Sequence, residues 1–284
     1  MKQVKGKTAL ITGASRGIGL HIAQTLAEKG MNLVLTARSA SALEQAADDA
    51  RVHGVSVNCI VADLRHRSEV ENLAKRAESE SDGIAVLINN AAIESALPYD
   101  KVDLQMIEEM VRVNLTSPMI LTRLLLPYMI QRGQGHIVHI SSVSGLVGTP
   151  YEEAYGATKH GLVGFSRCLR LTLESEGHPI GVSVICPAFV EDAGMYHEAS
   201  TKSNATAPVM MGTVPLQKVG AAVVKAIIKN KREVVLTGKP IIPFLLTQTI
   251  SPKLADRISA FIGVSAMFKK WAETSLKSTR QIKS

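Results

Sequence analysis

Cysteine, aromatic residues and long uncharged runs are all scarce in this chain. Only three of its 284 residues are cysteines, and no two of them form a C-x-x-C pair. That excludes a disulfide scaffold and a cysteine-rich zinc site. Cys59, Cys168 and Cys186 each sit in an apolar run and read as small core residues. Aromatics make up 4% of the chain, and its basic stretches lack interleaved stacking residues, so nucleic acid is not an expected partner. No uncharged apolar run approaches the roughly 18 residues of a spanning helix. The first seven residues form no apolar h-region, so no signal peptide is expected. Internal repeats and low-complexity tracts are absent. What remains, 46% hydrophobic and 20% charged residues, is ordinary globular composition with a buried core. The expectation is a cytoplasmic protein of one or two domains.

Acidic residues are scarce at one end. Residues 1–200 carry 18 Lys and Arg against 22 Asp and Glu, whereas residues 201–284 carry 14 against 3. The basic C-terminal third can be a solvated face, or can meet a phosphate-bearing substrate, an acidic partner or an anionic membrane surface.

The first 240 residues alternate short apolar runs with helical patterns. Runs at 7–12, 31–37, 56–62, 84–90, 136–142, 181–186 and 233–237 are apolar on both faces, as strands covered on two sides must be. Helical stretches lie at about 17–29, 40–52, 68–80, 103–132 (read as two helices), 155–176 and 218–230. Seven strands alternating with helices predict an α/β fold: a doubly wound parallel seven-stranded sheet, since parallel strands need crossovers. Residues 188–216 break the rhythm without a clear period and read as a substrate lid, with Met195, Tyr196, Met210 and Met211 as adaptable contacts. The division expected is a catalytic part at 1–239 and a C-terminal helical extension at 240–284. In that extension Ser251-Pro252 starts a helix. Leu254, Ile258, Phe261 and Ile262 form its apolar face. Met267, Phe268 and Trp271 follow, then a frayed basic tail. Packing on the protein, on a partner subunit and on a membrane are the three fates open to these elements.

The first strand leads through Thr12-Gly13-Ala14-Ser15-Arg16-Gly17-Ile18-Gly19 into a helix. A glycine turn there lets a pyrophosphate approach the backbone at the helix's positive end. After the second strand stands Arg38, where an acidic residue would hold a ribose 2′-hydroxyl. With Arg16 it suits a phosphate dianion, so NADP(H) is favoured over NAD(H). Tyr155 and Lys159, four apart, share a helix face. A cation beside a phenol lowers its pKa and makes it a usable acid or base. Ser142 ends the fifth strand, where an open parallel sheet places its ligands. Its hydroxyl can hold a carbonyl oxygen. His136 and His139 fall on opposite faces of a strand, so no metal site is expected.

T-G-A-S-R-G-I-G, N-N-A-A at 89–92, I-S-S at 140–142 and Y-G-A-T-K at 155–159 resemble, in order and spacing, the short-chain dehydrogenase/reductase family. The resemblance spans about residues 5–238 and implies a Rossmann-type fold. It implies Tyr155 as proton donor or acceptor, Lys159 tuning it and holding the nicotinamide ribose, and Ser142 orienting the carbonyl. Asn114 would complete a proton relay through a water. Gly13, Ser15, Arg16, Gly17, Ile18 and Gly19 would hold the phosphates, Asp63 and Leu64 the adenine, and Asn90 and Ala91 would line the cofactor. Pro187 and Val190 belong to a further cofactor motif, but Asp192 stands where the family has a hydroxyl. Ala92 replaces a commoner glycine. Glu94, Glu152 and Glu153 border the pocket mouth and read as solvated, with recognition of a cationic group as the other reading.

The function implied is interconversion of a ketone or aldehyde and an alcohol, run as a reduction. The lid, Val147, Tyr151, Phe189 and the apolar extension suggest a lipophilic substrate that is sterol-, retinoid- or fatty-acyl-like. A 3-oxoacyl thioester reductase and a non-catalytic NADP(H)-binding regulator or scaffold are the alternatives. By the same resemblance the chain forms a homodimer or homotetramer through the helices of 103–132 and 155–176.

Overall fold

A computed structural model describes residue 1 and residues 3–283, with side chains as far as residue 277. Its seven strands are β1 (Thr8–Thr12), β2 (Asn32–Ala37), β3 (Val57–Val61), β4 (Ile84–Asn89), β5 (Gly135–Ile140), β6 (Ile180–Pro187) and β7 (Glu233–Leu236). All pair in parallel, in the order β3-β2-β1-β4-β5-β6-β7. The crossovers are α1 (Gly17–Glu28), α2 (Ala40–Arg51), α3 (Arg67–Ser79), α4 (Leu104–Val111), α5 (Ser117–Gln131), α6 (Glu153–Ser175), α7 (Gly194–Ser203) and α8 (Leu216–Lys229). Beyond β7 lie α9 (Ile242–Ile250), α10 (Pro252–Phe261) and α11 (Val264–Lys283). The doubly wound sheet and the helical C-terminal segment are therefore both present.

The period of two along each strand divides the interior into two cores. Ala9 and Ile11 pack with Ile22, Leu26, Leu43 and Val223 on one face. Leu10 packs with Val70, Leu73, Leu121 and Leu125 on the other. The order in which strands are added to the sheet reverses between β1 and β4, which opens a cleft at the carboxyl ends of the strands.

The structure adds to or departs from the sequence expectations in five places. The two helices expected over 103–132 are α4 and α5, joined without a loop by a π turn at Arg112–Thr116 that contains Asn114. The 188–216 segment contains α7. That helix has little apolar periodicity because its apolar partners come from far along the chain. Phe189 and Tyr196 pack on Phe268 and Trp271 of α11, with ring centroids 4.8–6.3 Å apart. The expected apolar face of α10 does not pack as one, since Leu254 and Phe261 point outward. Cys168 is exposed rather than core, while Cys186 is buried and Cys59 half-buried. The basic tail continues as helix to Lys283 instead of fraying.

Two histidines lie fully inside the sheet. His136 reaches Ser183 Oγ at 2.8 Å and His139 reaches Asn89 at 3.2 Å. Burial pushes both from 6.5 down to about 3. Each stays neutral in the fold but protonates once unfolded, so stability is lost as pH falls below about 6.5, by up to about 1.4 kcal/mol per pH unit per histidine. Two of the eight imidazoles are accordingly expected to show no titration by NMR between pH 8 and 5. A shift of their ring signals near pH 6.5 would contradict that burial.

Candidate active site

The turn between β1 and α1 can be built only with glycine at its corners. Gly13 and Gly17 have φ of 66° and 61°. A Cβ on Gly19 would lie 2.1 Å from the Gly13 carbonyl oxygen, and one on Gly13 would lie 2.9 Å from Ala91 Cα. The turn is pinned to the end of β4. Thr12 Oγ1 accepts hydrogen bonds from the N–H groups of Asn90 and Ala91, both at 3.0 Å, and Asn90 Nδ2 donates to the Thr12 carbonyl at 2.9 Å. No side chain caps α1, so its first N–H groups can meet an anion. This cradle fits a dinucleotide pyrophosphate.

Around it lies one cavity of about 1220 Å³. Gly13, Ser15, Arg16, Gly17, Ile18, Gly19, Arg38, Asp63, Leu64, Asn90, Ala91, Pro187 and Val190 all line it, as do Ser142, Tyr155 and Lys159. Asn114 does not. It is fully buried behind the wall, where Oδ1 accepts from Ile93 N and Nδ2 donates to the Ile93 carbonyl, both at 2.8 Å. Its amide is thus spent on fixing the strand end that follows N-N-A-A. A relay through this residue must use its backbone, and a π turn leaves a carbonyl without its usual helical donor.

Lys159 is buried under Tyr155. Nζ donates to the Ile140 carbonyl at 2.9 Å and lies 5.4 Å from the phenol ring centroid. Burial lowers its pKa to about 8. Ser142 Oγ accepts from Ser144 N at 3.1 Å. Tyr155 itself is pushed well above its ordinary value, first by burial and then by the charges of Glu94 and Glu152. The sequence argument, which had Lys159 lowering that value, lacks these two carboxyls. The solvated reading of Glu152 is overturned: it is buried, and its Oε2 accepts from Ser144 Oγ at 2.8 Å. Glu94 lies beside it on the cavity wall. Burial raises both carboxyls, and the charge of Glu94 raises Glu152 further. The only trace in the sequence is a glutamate three residues before the tyrosine.

The two arginines differ. Arg16 is ion-paired with Glu198 of α7, a partner no local pattern could supply, whereas the exposed Arg38 makes no hydrogen bond or ion pair among the described residues. Asp63 is held by Arg65, whose guanidinium sits 2.6 Å away and keeps the carboxyl below its usual range. Asp192 adopts φ 60° and lines the cavity.

A doubly wound sheet whose switch-point cavity joins a glycine cradle to a tyrosine–lysine wall is the architecture of a dinucleotide-binding oxidoreductase. Comparison with known proteins names the family. The family description "short chain dehydrogenase" matches residues 7–204, and the chain belongs to the short-chain dehydrogenase/reductase family. It is 36% identical over 282 residues to a ketoacyl reductase, HetN, of Nostoc sp., covering 98% of this chain and 96% of the relative. A short-chain dehydrogenase/reductase of Burkholderia phymatum in complex with NAD superposes with TM-score 0.79 at 25% identity, covering 89% of this chain and 96% of the other. A metagenomic short-chain oxidoreductase in complex with NADP superposes with TM-score 0.70 at 27% identity, covering 82% and 97%. One structural neighbour thus holds NAD and the other NADP.

Proposed function

We propose that this chain is an NADP(H)-dependent reductase of a ketone or aldehyde on a lipophilic, sterol-, retinoid- or fatty-acyl-like molecule. The observation that carries the reading is the meeting of Ser142, Tyr155 and Lys159 on the wall of the cavity that also holds the glycine cradle. The nicotinamide would supply the hydride. Tyr155 donates the proton to the carbonyl oxygen, Ser142 Oγ holds that oxygen, and Lys159 stabilises the phenolate left behind. Asn114 is a positioning residue. The glycine turn, Asp63, Leu64, Asn90, Ala91, Pro187 and Val190 hold the cofactor. In this reading residues 1–239 form the catalytic part, 188–216 the lid and 240–284 the extension.

NADP(H) is preferred because Arg38 stands exposed just beyond β2, with no hydrogen bond or ion pair among the described residues and no carboxylate in its place to repel a 2′-phosphate. Arg38→Asp is expected to shift the NADPH-to-NADH ratio of kcat/KM toward NADH by about a hundredfold, through lost attraction and added repulsion. An unchanged ratio would place the 2′-phosphate elsewhere. The function itself is tested by NADPH oxidation across small, lipophilic and thioester-linked ketones. Equal turnover of small and lipophilic ketones would remove the lipophilic substrate.

The Nostoc relative's name favours a second reading, a 3-oxoacyl thioester reductase. A clear preference for the thioester over the free ketone would decide for it. Self-association through α4–α6 belongs to the reading too, supported by the exposed Leu104, Val111, Met119, Tyr128 and Leu171. So does a cytoplasmic location with the basic C-terminal segment against an anionic membrane.

A further inference from the structure

The helical hairpin α9–α10 is apolar on both of its faces. Its inner side, with Phe244, Thr247, Ile258 and Ile262, walls the cavity. Its outer side should be polar if it faced water, and it is not. Ile242, Leu246 and Ile250 stand at i, i+4 and i+8 of α9 and are 66%, 58% and 82% exposed. Leu254 and Phe261, seven apart on α10, are 49% and 88% exposed. Val209 and Met210 of the lid are exposed as well, and Met210 also lines the cavity. An apolar helix face left uncovered at a cavity mouth marks a docking surface.

The charges around it select the occupant. From Val234 to Ala255 the chain has no acidic residue, Lys239 and Lys253 flank α9, and Arg257 sits between Leu254 and Phe261 on the outer side of α10, while the one acid of α10, the exposed Asp256, stands about 200° around the helix from Leu254. Apolar side chains interleaved with basic ones whose long stems can reach outward suit the headgroup boundary of an anionic bilayer. A second copy of the chain, paired about a two-fold axis, would bring these cations against their own equivalents. Among the described residues no helix is long and apolar enough to cross a membrane, so the hairpin would lie in the interface plane.

We propose that the outer face of α9–α10, with the exposed lid residues Val209 and Met210, inserts into the surface of an anionic lipid bilayer. The catalytic cavity then opens toward the acyl region, so a lipophilic carbonyl compound enters from the membrane without crossing water. The route, though not the docking, rests on the lipophilic-substrate reading.

The test is co-sedimentation of the full chain with vesicles of phosphatidylcholine alone and of equal parts phosphatidylcholine and phosphatidylglycerol. Binding is expected to be stronger to the mixed vesicles and to fall as salt is raised. The double variant Leu246→Glu/Ile250→Glu is expected to lose binding by about tenfold or more. Neither residue lines the cavity, so the variant should keep its circular dichroism spectrum and its turnover of a small water-soluble ketone. Wild-type protein left in the supernatant, or a variant that binds equally well, overturns the proposal. So does light scattering without lipid in which the variant alone splits an oligomer, which would assign the face to a second copy. Sedimentation needs no turnover, so failure of the substrate reading leaves the docking result intact. Binding accompanied by turnover of small ketones only would remove the route and keep the surface.

Discussion

Tyr155→Phe is expected to lower kcat/KM for carbonyl reduction by about 10²- to 10⁴-fold, the usual contribution of a positioned general acid. NADPH binding, followed by its fluorescence, should stay within a few fold, because the phenyl ring fills the same buried space and the glycine cradle is untouched. Electrostatics sets which form of Tyr155 is at hand. A phenol raised by burial and by two carboxyls keeps its proton at neutral pH, which is the state a reduction needs. Alcohol oxidation needs the phenolate and should rise with pH throughout the accessible range. Lys159, lowered to about 8, stabilises the phenolate only while it is charged. The kcat/KM for reduction should therefore fall as pH rises through about 8. A flat profile from pH 6 to 9 would remove Lys159 from its role, and a phenylalanine variant as fast as the parent would remove Tyr155 from the role of acid.

What the sequence disclosed and what it hid have different physical origins. Strands buried on both faces announce themselves as apolar runs, and the half-buried edge strands β3 and β7 keep the same β-branched pattern, so all seven were legible within a residue or two. The glycine turn was legible because Gly13, Gly17 and Gly19 are demanded locally, by positive φ or by a carbonyl 2.1 Å from a would-be Cβ. The helix α7 was not legible, because its packing against Phe268 and Trp271 is a contact between segments about seventy residues apart. The same holds for Arg16, whose partner Glu198 belongs to that helix. Asn114 could be found by resemblance, but its burial behind the cavity depends on the π turn, which has no sequence signature. The carboxyl pair was misjudged for a related reason. Charged residues in a loop are usually solvated, and only the approach of Glu94 and Ser144 to Glu152 makes an interior site of them.

That pair carries the second large expected effect. Two neighbouring carboxyls, Glu152 buried and Glu94 half-buried on the cavity wall, resist being ionised together, because that would set like charges side by side in a poorly solvated place. Ser144 donates to Glu152 and itself accepts from Thr149 Oγ1 at 3.1 Å, so the arrangement is held from behind. It sets negative charge beside Tyr155. A substrate bearing its own carboxylate near the reacting carbonyl would bring a further negative charge, at a cost of about 3–4 kcal/mol at contact distance for an effective dielectric near 20. A 3-oxo acid should therefore be reduced more slowly than its ethyl ester by on the order of a hundredfold in kcat/KM. Replacing both residues, Glu94→Gln/Glu152→Gln, removes the charge. The ester-to-acid ratio should then collapse toward unity, mainly through faster turnover of the acid. A ratio already near unity in the parent, or one unmoved by the double substitution, would show that the carboxyls do not face the substrate. The expected ratio also bears on the choice between free ketone and thioester. A thioester is uncharged at the reacting carbonyl and keeps its phosphates remote from this wall, so the carboxyl pair accepts both neutral classes and rejects only the acid.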